Sequence, residues 1–378
     1  MLCVSARAVE VEVPVYPELD PDDNAFTFYE QATLLMPDEP AWGDMAGNEE
    51  NYDLADMEIE VLDAADVLET FREGIDKECV MPGGGDFSTE FPYLGKFRSL
   101  VRLLTVEAWV RQENGETAEA LDSYMDAMKL GQDVARNGVL IHKLVGIACE
   151  SVAMARVRTS MPMVASDTEA TDAFIERLAA LEETEVSFSE TLAVEYDWSR
   201  RTLEKLAEDP AEGDKLLEGT GFRASPFVIT QALEELPVYY AQMIAVAKMD
   251  WWRWNHEDEV PEVTTRNSLI AMILPAVSKA IEKGTYHAAT TRGTLLVVAL
   301  ERYFAEHGEY PNALDALVPD ILAELPVDPF SGEDYRYEFV DLLEYKLYSV
   351  GANMIDDGGG DPMDADPDAP DLMYSMLR

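Results

Sequence analysis

The chain is poor in cysteine and in basic side chains. Its three cysteines, Cys3, Cys79 and Cys149, form no CxxC pair and no disulfide framework, so they do not settle the redox compartment. Cys149 lies in the apolar stretch 145–153, which predicts a buried, inert thiol. Only 28 Lys and Arg stand against 75 Asp and Glu, which gives a net charge of −47. Because phosphate recognition needs a basic patch, we expect no binding to nucleic acid or to anionic membranes.

The sequence also lacks the motifs of common catalytic and membrane-inserted proteins. The four histidines are scattered, without the paired spacing of zinc ligands: His142, His256, His287 and His307. There is no P-loop, GxGxxG or GxSxG motif, and among 75 carboxylates close pairs arise by chance. No apolar run approaches the ~18–20 residues that cross a bilayer, and residues 1–8 form no full signal peptide. We expect either a cytoplasmic protein or one whose leader lies outside this sequence.

The chain does contain enough apolar material for two domains with cores of their own. It has 378 residues, of which 47% are hydrophobic, and this composition argues against a disordered protein. The acidic residues are spread along the whole chain, as salt adaptation or general solubility would require. Only the carboxylates near the C-terminus lie closely enough together to suggest a binding site.

Helical patterns follow a short N-terminal arm. Residues 1–23 alternate apolar and polar side chains and contain prolines, which predicts an extended arm with an edge strand. From residue 24 to residue 265, apolar residues recur at helical spacing and predict a helical domain. The predicted helices are 24–35, 54–75, 93–112, 116–133, 140–158, 172–206 and 225–254.

One predicted helix pair resembles the helical hairpin of a tetratricopeptide repeat. In the segment 113–130, the small Ala120 and Ala127 and the bulky Tyr124 are the residue types that a close helix crossing requires. No second copy follows at the period of about 34 residues. We therefore expect one or two degenerate hairpins of this kind.

An aromatic cluster, Trp251–Trp254 with His256 beside it, allows two interpretations. It is either a helix end that packs under the next domain or a platform for a ligand, and aromatic side chains more often supply core packing. If the cluster were a ligand platform, carboxylates near it would make a hydrolase the alternative function.

The C-terminal part predicts a small α+β domain, residues 266–378. A long helix over 267–307 ends at Gly308, and two strands at 335–340 and 345–350 form a hairpin. This hairpin leads into an acidic loop, residues 350–371, where glycines and carboxylates alternate. The fold class expected for the whole chain is therefore mainly α, with helical hairpins and a C-terminal domain of one long helix and a short antiparallel sheet.

The acidic loop contains the ingredients of an oxygen-only metal site. Glycines allow the tight turns that aim backbone carbonyls inward, and calcium tolerates irregular oxygen geometry better than magnesium does. The alternative is a solvated acidic tail. The carboxylates are Asp356, Asp357, Asp361, Asp364, Asp366, Asp368 and Asp371.

Several ordered motifs in residues 267–374 resemble the major pseudopilins of type II secretion. The segment 300–317 is similar to their helix-to-turn segment, 327–337 to their DPWG-type turn and first strand, and 348–366 to their last strand and calcium loop. The resemblance implies calcium bound by side-chain carboxylates and backbone carbonyls. By position, Asp364 and Asp366 fall on the family's Asp-Ala-Asp element.

The same resemblance leaves other ligands open and has clear limits. Asn353 takes a place that is often Asp in the family, while Asp356, Asp357 and Asp371 are further candidates that the resemblance does not assign. A pseudopilin begins with an apolar N-terminal helix, whereas here the acidic helical domain precedes the similar part. The order of helical hairpins and a pseudopilin-like end also resembles uncharacterised proteins of planctomycete-type bacteria, which implies no activity.

The sequence thus predicts a non-enzymatic interaction or assembly protein of the cell envelope or the extracellular space, with a structural calcium ion. Its partners would be proteins or further copies of the same chain. Two alternatives remain: a filament or lattice subunit whose arm at 9–16 adds as a strand to a neighbour, and the carboxylate-dependent hydrolase near Trp251 and His256.

Overall fold

The computed structural model describes residues 9–86, 88–209, 225–254, 267–356, 358–359 and 371–374. This part of the chain is mainly helical with a small antiparallel sheet, as the sequence predicted. In chain order the helices are α1 (Ala25–Leu35), α2 (Trp42–Met45), α3 (Leu54–Asp63), α4 (Ala65–Arg72), α5 (Tyr93–Glu113), α6 (Thr117–Ala135), α7 (Leu140–Val164), α8 (Thr168–Glu183), α9 (Phe188–Glu208), α10 (Pro226–Ala247), α11 (Trp251–Trp254) and α12 (Ser268–His307). The strands are β1 (Arg336–Asp341), β2 (Glu344–Ser349) and β3 (Leu372–Met373).

Local capping residues explain where the predicted helices were right and where they were wrong. The side chain of Asn24 accepts from the backbone of Phe26 and begins α1 at the predicted place. The single helix predicted over 172–206 is wrong, because Ser187 caps a new helix by accepting from the backbone of Glu190. The prediction over 54–75 likewise divides into α3 and α4 at Ala64.

The N-terminal arm is extended but forms no strand over the described residues 9–20. The described arm pairs with no strand of the sheet, and a strand forms only where a neighbouring strand takes up its backbone hydrogen bonds. The arm instead packs on its own chain: Val11 is buried in a second core formed with α9 and α10, and the hydroxyl of Tyr16 donates to Glu190. The predicted edge strand is therefore wrong for this part of the chain.

Helices α5, α6 and α7 pack in sequence order and carry the largest core. Ala120, Tyr124 and Ala127 are fully buried, as the predicted helix crossing required. Helices α6 and α7 approach each other closely at Gly131 and Gly146, where a Cβ on Gly146 would lie 2.3 Å from the carbonyl oxygen of Gly131. The tetratricopeptide character of this hairpin stays a prediction.

The long helix α12 joins the helical part to the sheet. It packs on α7 and α8, and Arg302 of α12 donates to Asp172 of α8 at 2.8 Å. The largest core includes Leu100 of α5, Leu296 of α12 and Leu347 of β2. One core thus extends across the boundary that the sequence predicted between 24–265 and 266–378.

The sheet has three strands in the order β1-β2-β3, with antiparallel pairing throughout. Strands β1 and β2 are the predicted hairpin. Strand β3 was not predicted, because two residues carry no periodic pattern. In it, Leu372 lies opposite Ser349 and Met373 lies opposite Tyr348.

Candidate functional site

A buried carboxylate ties the turn before the sheet to the beginning of the acidic loop. Asp328 is 1% exposed, and its Oδ1 accepts from the backbone of Phe330 at 3.0 Å and from the hydroxyl of Ser349 at 2.9 Å. Its Oδ2 accepts from the backbone of Val350 at 3.2 Å and from the hydroxyl of Ser331 at 3.3 Å. Asp328 therefore sets the direction in which the acidic loop leaves β2.

The acidic loop has two stems, which are the segments where it leaves β2 and where it returns to β3. Asp356 holds the first stem. Its Oδ1 accepts from the hydroxyl of Tyr348 at 2.9 Å and from the backbone of Gly358 at 3.1 Å, and its Oδ2 accepts from Arg336 at 3.1 Å. The hydrogen bond from Tyr348, helped by the positive charge of Arg336, holds the pKa of Asp356 below its ordinary value. Asp356 therefore stays ionised and connects β1 and β2 to the loop.

The second stem ends at Asp371, directly before β3. Its Oδ2 accepts from the backbone of Gly359 at 2.8 Å. Gly358 and Gly359 both adopt positive φ, +89° and +77°, which glycine allows at little cost. Because Asp356 and Asp371 bind these neighbouring glycines, the fold brings together two predicted ligands that are fifteen positions apart in the sequence.

Of the other predicted ligands, only Asn353 lies within the described residues. The Oδ1 of Asn353 accepts from the backbone of Ile355 at 2.9 Å and shapes the turn that follows β2. Asp357, Asp364 and Asp366 lie outside the described residues. Within the part of the chain that the structure describes, no three His, Cys, Asp or Glu side chains form a group that could hold a metal ion.

The aromatic cluster packs against the turn that Asp328 organises. The ring of Trp251 meets that of Phe330 edge to face with centroids 5.6 Å apart, and its Nε1 donates to the carbonyl of Ala352 at 3.3 Å. A Cβ on Gly332 would lie 2.6 Å from the Nε1 of Trp252, so this ring covers the turn. These contacts are those of a helix end packed under the next element, while His256 lies outside the described residues.

A buried ionic cluster at the junction of α7, α12 and the α8–α9 link was missed by the sequence reasoning. Lys143 lies 2.6 Å from Glu185, and the Nε2 of His287 lies 3.2 Å from Glu150 and 3.8 Å from Glu185. Lys143, Glu150 and His287 are each at most 3% exposed. The sequence pattern that could have indicated this cluster is the seven-residue spacing of Lys143 and Glu150, which places both on one face of an otherwise apolar helix.

Charge balance explains how this cluster is tolerated in the core. Burial by itself lowers the pKa of His287, but the carboxylates of Glu150 and Glu185 outweigh burial and raise it above its ordinary value. With His287 protonated, two cations face two carboxylates, which is the arrangement that buried charges require.

Burial also raises the pKa of Cys149 to about 12, so this thiol is inert as predicted.

None of the helices in the described part of the chain combines the length and apolar composition that a bilayer-spanning helix needs.

No protein-family model, no curated protein sequence and no solved structure matches this chain. The resemblance to major pseudopilins therefore rests on the quoted motifs and stays a prediction.

Proposed function

We propose that this protein is a non-enzymatic interaction or assembly protein of the cell envelope or the extracellular space, and that its acidic loop holds a structural calcium ion. The observation that carries the proposal is the pairing of β3 with β2, which closes the acidic loop at both ends. The loop returns beside the strand it leaves, and Asp356 and Asp371 bind adjacent glycines at its two stems.

The donor chemistry of this loop suits a hard cation. Carboxylate and carbonyl oxygens are the ligands that calcium prefers, and Asp364 and Asp366 stand in the sequence between the two closed stems. Asp356 is already bonded by Arg336 and Tyr348, so we assign it to holding the stem. Neutralising the remaining carboxylates would reduce their mutual repulsion and favour the folded state.

The helical part offers surfaces for a protein partner. On α3, Ile59 and Leu62 are three residues apart and therefore share one face, with exposures of 56% and 73%. The described arm, by contrast, is packed on its own chain through Val11 and Tyr16, which favours docking by helices over strand addition to a neighbour.

The calcium proposal predicts a metal-specific rise in thermal stability. Calcium at about 100 times its dissociation constant would stabilise the folded state by ~2.7 kcal/mol. For a chain of this size that corresponds to a rise in Tm of roughly 3 °C. We expect the rise with calcium, no comparable rise with magnesium, and none for the double variant Asp364→Ala with Asp366→Ala.

The matched control is the double variant Asp38→Ala with Asp320→Ala, which removes the same charge from two exposed positions outside the loop. It should keep the full calcium response. Measuring all variants with calcium, magnesium or chelator, at low and high salt, separates a bound ion from general screening. Two results would contradict the calcium site. One is a rise in Tm that is the same for every salt, and the other is a loss of Tm in the loop variant that is as large in chelator as in calcium.

A further inference from the structure

A cleft separate from the acidic loop lies where the N-terminal arm crosses the helical part. Its volume is about 320 Å³, which falls within the usual range of small-ligand pockets. Val13 and Pro14 of the arm form one wall, and Gly83 and Gly84 of the loop before α5 form another. The ring of Trp198 on α9 supplies a flat apolar surface.

Contacts on both sides of the glycines hold the loop that forms the second wall. Asn137 adopts a positive φ of 59°, and its Nδ2 donates to the carbonyl of Met81 at 2.9 Å. Beyond the glycines, Asp86 accepts from Lys205 of α9 at 2.8 Å. These two contacts connect the glycine loop to the turn before α7 and to α9.

A buried, neutral histidine is part of the cleft wall. His142 is 2% exposed, and its Nε2 lies 3.0 Å from the hydroxyl of Tyr93. Burial lowers the pKa of His142 to about 4, although a hydrogen bond with the backbone of Val139 opposes this shift, so the imidazole is neutral at pH 7. His142 therefore brings no charge to the cleft, and the cationic group in its lining is that of Arg201.

The guanidinium of Arg201, which is paired on one side only, also lines the cleft. In Arg201, Nη2 lies 2.8 Å from the carboxylate of Asp197 and Nε donates to the carbonyl of the same residue at 3.4 Å. The remaining nitrogen, Nη1, points toward the glycine loop, since a Cβ on Gly84 would lie 3.4 Å from it. No partner of Nη1 is present in the described ranges of the chain. Arg201 is thus preorganised by Asp197 with one edge left for a ligand.

We propose that this cleft binds a small planar organic acid. Its carboxylate would accept from the Nη1 edge of Arg201, and its flat body would lie against Trp198. The site is independent of the acidic loop, and neither calcium nor the loop variants should affect it.

The first test is calorimetric titration of the full chain with 6-hydroxy-2-naphthoate and with its neutral amide. The carboxylate should bind about tenfold tighter or more, since one charge-assisted hydrogen bond distinguishes the two probes. Arg201→Met should remove this preference. Arg177→Met is the matched control, because its guanidinium pairs with Asp122 and does not line the cleft.

A second pair of variants tests the location without altering a helix. Val13→Trp would fill the cleft from the arm and abolish binding of the naphthoate, whereas Val15→Trp, at a position 96% exposed, should leave it unchanged. Raising the salt concentration should strengthen binding of the acid, because screening reduces its repulsion by a chain of net charge −47. Absence of binding at millimolar probe, equal affinity of acid and amide, or equal effects within either pair of variants would each overturn the proposal.

Discussion

Replacing Asp328 by Asn should destabilise the whole protein, although the change alters one atom of one side chain. Asp328 accepts four hydrogen bonds, two of them from buried backbone groups of Phe330 and Val350. In Asp328→Asn, the oxygen can keep the partners of Oδ1. The new amino group then replaces Oδ2 and confronts the backbone N–H of Val350, so two donors face each other.

The magnitude follows from these contacts. A buried N–H left without an acceptor costs about 1–3 kcal/mol, and the remaining bonds lose their charge assistance. We therefore expect a loss of about 2–4 kcal/mol in the free energy of unfolding. With an unfolding entropy of ~2.1 cal/mol/K per residue, a chain of 378 residues should lose about 3–5 °C in Tm. Because one core joins the sheet to the helices, a single transition should report this loss.

Scanning calorimetry of Asp328→Asn and of Asp320→Asn measures the effect with a matched control. The control makes the same chemical change at an exposed aspartate, where substitutions usually stay within about 0.5 kcal/mol. Urea unfolding would give the free energies directly. Equal transition temperatures for the two variants would refute the account of Asp328 as a buried acceptor of four bonds.

Two further predictions concern the helical core. The carboxylates beside His287 raise its folded pKa above the unfolded value, so its contribution to stability is complete below about pH 6.5 and is lost as pH rises through the folded pKa. Urea unfolding between pH 6 and 9 should show this decline, and His287→Gln should flatten it while the exposed His307→Gln does not. Gly146→Ala should destabilise the protein by several kcal/mol, since its Cβ would lie 2.3 Å from a carbonyl oxygen of α6. Gly95→Ala, whose Cβ meets nothing within 4 Å, should instead stabilise α5 by about 0.5–1 kcal/mol; the same sign for both glycine variants would contradict this account.

Local signals in the sequence predicted most of the helices and the β-hairpin. Asn24 and Gly308 mark helix ends through capping and a left-handed backbone, and both act as expected. Periodicity alone failed between Leu181 and Phe188, because apolar spacing continued across a break that the cap at Ser187 creates. The alternation of apolar and polar residues in the arm suggested a strand. A strand needs the edge of a sheet beside it, whereas the described arm packs against helices α9 and α10.

What the sequence determined by itself was the helical class, the hairpin, the inert Cys149 and the inventory of oxygen donors near the C-terminus. Only the tertiary structure decided that Asp356 and Asp371 meet at adjacent glycines, that Lys143 and His287 share a buried ionic cluster, and that the arm closes a cleft over α9. The physical reason is the distance along the chain between the residues that interact. Caps, turns and periodicity are fixed by neighbours within a few positions, whereas these sites join residues whose encounter depends on how whole helices and strands pack.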